Sequence, residues 1–167
     1  MKTLVLIRHA KSSWNHPGLD DFERPLNKRG RRDAPFMGNL LKEKKFYPDV
    51  IIASPAVRAA DTSRFISEAI SYPPALIRFN ESIYEADVTT LSAIIRDMEN
   101  TLEHLVLVGH NPSISSLANL VAPDSVNHMP TCAAHWTELD IATWKDFSVD
   151  CGRLVYFEYP KKYHIPG

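Results

Sequence analysis

The stretch LVLIRHAKSSWN, residues 4–15, decides how this chain folds. Leu4 to Ile7 make a continuous apolar run of Leu, Val and Ile, the pattern of a short strand buried on both faces. Arg8 and His9 follow at its carboxyl end, where a charge is costly unless it leaves the core or meets a partner. Taken alone, the pair reads as an ion-pairing arginine beside a histidine that closes a strand. It means more only if other strands end in matching polar residues.

Three further runs read as strands: DVIIAS (49–54), ALIRFN (75–80) and HLVLVG (104–109). Helical patterns lie between and after them. The first is KRGRRDAPFMGNLLKEKK (28–45), capped by Asn27 and expected to be kinked or split at Pro35. AVRAADTSRFISEAI (56–70) and TTLSAIIRDMEN (89–100) follow, and then PSISSLANLV (112–121), with proline at its first helical position. Strands alternating with helices predict an α/β fold, a three-layer α/β/α sandwich around a mainly parallel sheet. The last third changes character. AAHWTELDIA (133–142) and GRLVYFEYP (152–160) read as two strands that add an antiparallel edge.

A chain of 167 residues suits one domain, expected over 1–167, with a sizeable core. Its 44% hydrophobic and 23% charged content are those of an ordinary globular protein. A net charge of −1 gives no reason to expect nucleic acid or an anionic membrane as partner. No apolar stretch approaches the length of a membrane span, and the N-terminal run lacks the features of a secretory signal, so a cytoplasmic location is expected. Cys132 and Cys151 suggest no disulfide framework, and neither they nor the histidines have metal-ligand spacing. KRGRR (28–32) reads as a solvated helix start, and Trp136, Trp144 and Phe147 as packing residues. Nucleotide-loop and serine-hydrolase motifs are missing.

Right-handed crossovers bring the carboxyl ends of parallel strands to one rim, where α/β sheets bind ligands. The first strand ends in Arg8-His9 and the second in Ser54-Pro55, with Arg58 one helical turn on. The third ends in Asn80-Glu81 and the fourth in Gly109-His110-Asn111. Arginines, histidines and a carboxylate therefore meet on a single edge. Paired guanidinium groups suit a phosphoryl anion, and a histidine can attack phosphorus as a nucleophile.

The motifs resemble those of the histidine phosphatase superfamily, the phosphoglycerate mutase-like fold. RHAKSSWN is similar to its RHGxSxWN signature and RPLNKRGRRDA to PLTxRGxxQA. SPAVRAADTS resembles SPxxRAxQT, and LVGHNPSI the second-histidine motif. The short chain, the GHNP form and MPTCAA most resemble the SixA-type phosphohistidine phosphatases. Ala10, Asn27 and Asp61 depart from the usual Gly, Thr and Gln without removing a group that handles phosphate.

The resemblance implies that His9 is the nucleophile and that Arg8, Arg58 and His110 hold the phosphoryl oxygens. Its implied further donors are Asn111, through the backbone N–H, and the side chains of Ser12 and Asn15. FNESIYEA resembles the mutases' LNERHYGG, which puts Glu81 in the proton-donor position and Tyr84 on the substrate, with Glu85 as the rival acid. No metal and no cofactor are implied. The implied substrate is phosphorylated, with phosphohistidine in a protein favoured. A small phosphate ester, a mutase reaction, or a non-catalytic phosphate- or partner-binding domain are the alternatives.

Overall fold

The structure, a computed structural model, describes residues 1–163. It contains a six-stranded sheet in the order β3–β2–β4–β1–β5–β6. Here β1 is Lys2–Arg8, β2 Val50–Ala53, β3 Arg78–Phe79, β4 His104–Gly109, β5 Ala134–Leu139 and β6 Gly152–Glu158. The β1–β4, β2–β4 and β2–β3 pairings are parallel, while β5 runs antiparallel to both β1 and β6. The reversed strand thus lies one place in from the edge, and β6 forms the edge itself.

Four α-helices cover the sheet: α1 (Lys28–Glu43), α2 (Val57–Ala69), α3 (Val88–Arg96) and α4 (Ser113–Val121). Successive strand residues point to opposite faces, which explains the uninterrupted apolar runs. Leu4 and Leu6 pack with Leu91 and Ile95 of α3 and Leu117 of α4. Val5 and Ile7 pack with Met37 and Leu41 of α1 and Ile66 of α2. All four β1 residues are fully buried, each contributing about 1.5–3 kcal/mol. Two cores on either side of one sheet make the expected three layers.

Several local expectations change. Helix α1 runs unbroken through Pro35. Proline removes one backbone bond there, and the burial of Ala34, Met37, Leu40 and Leu41 offsets the loss. The third strand shrinks to two residues, because Pro74–Leu76 form a 3-10 turn and the strand's own residues are exposed. Pro112 sits at the N-cap of α4, one place before the first helical residue. Trp144 and Phe147 are buried, and Trp136 packs edge-on to Phe46, as expected of packing residues. Among the described residues no helix is long and apolar enough to cross a membrane.

The start of α1 also fixes the loop after β1. Asn27 accepts a bond from the Gly30 amide at 2.8 Å, and its own amide donates to the Lys11 carbonyl at 3.0 Å. A Cβ on Gly30 would lie 2.2 Å from that carbonyl oxygen, so only glycine allows this approach. Gly30→Ala is therefore expected to destabilise the protein by about 1–3 kcal/mol, readable as a lower unfolding midpoint in urea. An unchanged midpoint would show that the loop yields freely.

Candidate active site

Register brings the polar strand ends together. Arg8 lies opposite Gly109 across the β1–β4 pair, and the His9 amide donates to the Gly109 carbonyl at 3.1 Å. The rings of His9 and His110 consequently lie 5.2 Å apart. Arg58, in the first turn of α2, completes the set. A cleft of about 220 Å³ is lined by these four residues together with Lys11, Ser12, Trp14, Arg24, Asn111 and Thr131.

His9 is 7% exposed, and its Nδ1 lies 2.8 Å from the Ala10 carbonyl oxygen. A carbonyl can only accept, so Nδ1 carries the proton and Nε2 keeps its lone pair. The loop beneath is tied down by Thr62, whose hydroxyl accepts from the Ala10 amide at 2.9 Å and donates to the Arg58 carbonyl at 2.7 Å. His110 Nε2 lies 2.8 Å from Ser54 Oγ. Arg8 Nε, Arg58 Nε and His110 Nδ1 are buried without a partner. Polar atoms so placed cost free energy until something meets them, and an anion with several oxygens would do so.

The sequence comparisons agree with this geometry. A family model of the histidine phosphatase superfamily (branch 1) matches residues 4–104. The chain belongs to the histidine phosphatase superfamily. An uncharacterized Mycobacterium tuberculosis protein is 30% identical over 166 residues, covering 93% of this chain and 100% of that one. Phosphoglycerate mutase 1 of Saccharomyces cerevisiae is 41% identical over 70 residues, 41% of this chain and 28% of the mutase. A candidate phosphohistidine phosphatase SixA from Agrobacterium tumefaciens superposes with a TM-score of 0.79 at 27% identity, covering 95% of this chain and 98% of that one. A tungstate complex of the protein histidine phosphatase SixA has the same fold, with a TM-score of 0.81 at 21% identity, covering 96% and 99% of the two chains. Family and fold together make the protein a phosphatase acting on a phosphorylated substrate.

Burial and charge in this histidine phosphatase keep the His9 ring neutral. Burial lowers the His9 pKa to about 3; the bond to Ala10 works against the shift, and the His110, Arg58 and Arg8 charges add to it. Nε2 is therefore unprotonated at neutral pH. Burial likewise lowers His110 to about 4, with Arg58 and Arg8 adding and Asp21 opposing. A bound phosphoryl dianion adds negative charge beside it and so favours its protonated form. Burial also lowers the pKa of Arg8.

Not every expected residue reaches the cleft. Ser12 lines it, but its hydroxyl already accepts from Arg24 at 2.8 Å. The Asn111 side chain also lines it and is anchored by donating to the Met129 carbonyl at 3.0 Å and accepting from Ser115 at 2.6 Å. Asn15 is exposed and outside the lining. Glu81 and Glu85 are likewise exposed and outside it. The cause is the short β3: Asn80 caps a 3-10 turn over Glu81–Ile83, and the apolar Ile83 takes the inward position. Tyr84 is brought edge-on to His110, with ring centres 5.6 Å apart.

Asp21, which the sequence did not single out, is a hub. Its Oδ2 accepts from Arg58 at 2.9 Å and from the Tyr84 hydroxyl at 2.7 Å, and its Oδ1 from Arg24 at 3.1 Å. Its backbone carbonyl also accepts from Arg58 Nη1 at 2.6 Å. Burial would raise the Asp21 pKa, but the Tyr84 and Arg58 hydrogen bonds and the Arg58 charge outweigh it and hold the carboxyl at about 2. The fork of Arg58 is thereby held through both terminal nitrogens, while its Nε has no partner.

Proposed function

We propose that this phosphatase works without a metal, passes the phosphoryl group through His9, and acts on phosphohistidine in proteins. In the first step the Nε2 lone pair of His9 forms a bond to phosphorus while the P–N bond to the substrate imidazole breaks, its electrons staying on the departing nitrogen. That imidazole arrives protonated on its far nitrogen, or takes a proton there from water, and so leaves neutral. Arg8, Arg58 and His110 stabilise the charge on the equatorial oxygens. Water then forms a bond to phosphorus while the P–Nε2 bond breaks, its electrons returning to Nε2. The proton released by water passes to solvent, and inorganic phosphate leaves with His9 restored.

One observation carries the choice of substrate. Among the described residues lining the cleft there is no carboxylic acid. Asp21, held near 2, is ionised and has no proton to give. Imidazole, whose conjugate acid has a pKa of about 6.5, leaves without a built-in acid far more readily than an alkoxide does. A cytoplasmic setting goes with this reading.

The test is a panel comparing a phosphohistidine protein with alkyl phosphates and an aryl phosphate. The expected order of kcat/KM is phosphohistidine, then aryl, then alkyl. Alkyl esters turned over fastest would favour the small-ester reading and return the donor role to Glu81 or Glu85. Two guanidinium groups and a protonated His110 supply positive charge, so EDTA is expected to leave turnover unchanged. Loss with EDTA that a divalent ion restores would contradict metal independence.

A further inference from the structure

The cleft lining includes residues with no assigned part in holding the phosphoryl group. Its large planar surface is Trp14, which is 73% exposed. The other two tryptophans lie in β5 and in the core. Indole so exposed gains little from folding, yet this one is held in place. The Arg24 guanidinium lies 3.6 Å from its ring centre.

Arg24 is itself fixed. It is 9% exposed and donates to Ser12 Oγ at 2.8 Å, to the Ser13 carbonyl at 3.2 Å and to Asp21 Oδ1 at 3.1 Å. A rigid, pre-placed aromatic surface beside a reaction centre loses little freedom when something packs on it. With the guanidinium stacked on it, Trp14 still stays largely exposed. Lys11, Ser12 and Thr131, which also line the cleft, offer no comparable plane.

We propose that Trp14 is a platform for a planar leaving group, reading the part of the substrate that departs. The proposal rests on the phosphatase reading above. The shared ligand chemistry is a flat π-system attached to phosphorus, which an imidazole or an aryl alcohol could supply. Ring stacking on the open indole would hold it while Arg8, Arg58 and His110 grip the phosphoryl oxygens.

The test compares wild type, Trp14→Ala and Trp14→Phe on phosphoimidazole, phenyl phosphate and glycerol 2-phosphate. In Trp14→Ala the ratio of kcat/KM for each planar substrate to that for glycerol 2-phosphate is expected to fall about five- to tenfold, the worth of an aromatic pair. Trp14→Phe, which keeps a flat ring, is expected to hold the ratio within about twofold. A fall for phosphoimidazole alone assigns the platform to imidazole, and a fall for both assigns it to flat rings in general. An unchanged ratio in Trp14→Ala overturns the proposal, including the case of equal losses on all three substrates, which would make Trp14 a prop for Arg24. If wild type cleaves none of the three, the phosphatase reading fails as well. If wild type cleaves them and the ratio stays put, only the platform fails.

Discussion

His9→Ala is expected to reduce turnover by about 10⁴-fold or more while leaving the protein folded. The loss is this large because the proposed covalent route has no second nucleophile to fall back on. Cys132 is tied to His9 by its amide, which donates to the His9 carbonyl at 3.1 Å, but it is fully buried and does not line the cleft. Burial raises its thiol pKa, and the Asp33 charge raises it further, so no thiolate is at hand. The fold is expected to survive because the ring's one hydrogen bond runs to its neighbour Ala10, and the β1 core residues are untouched. Steady-state assays paired with circular dichroism check both halves of the expectation. Residual activity within about tenfold of wild type would move the nucleophile elsewhere.

Arg58→Ala is expected to cost about 10²–10³ in kcat, because an equatorial oxygen loses a charge-assisted donor in a shielded cleft. Two of the guanidinium nitrogens are tied to Asp21, one to its carbonyl and one to its carboxylate, and the third is unpartnered. Lysine can reproduce the charge, but it cannot hold Asp21 in two places and still point a donor at the substrate. Arg58→Lys is therefore expected to recover less than about tenfold of the loss. Near wild-type kcat/KM in Arg58→Lys would remove this residue from contact with the phosphoryl group.

Much of this site could be read from the chain because strand ends announce themselves. An apolar run that stops at Arg8-His9, and another that stops at Gly109-His110, must meet if the strands are parallel neighbours, as β1 and β4 are. The layers were legible for the same reason: residues buried on both sides require helices on both sides. Details that depend on distant partners were not. Asp21 looks like one more polar residue in a turn-rich connection, and it acts through Arg58 and Tyr84, 37 and 63 residues further along the chain. Pro35 reads locally as a helix breaker, but the packing of α1 decides otherwise. The acidic residues after β3 were placed by motif. A two-residue strand and the burial of Ile83 turn them to the surface instead.

The most direct test of the account is to trap the intermediate. Wild type mixed with ³²P-labelled substrate and quenched within milliseconds is expected to carry label on His9, stable in base and lost in acid, as a phosphoramidate is. The same label should be missing from His9→Ala. Label on a serine or an aspartate, or turnover with no phosphoenzyme at any quench time, would contradict transfer through His9.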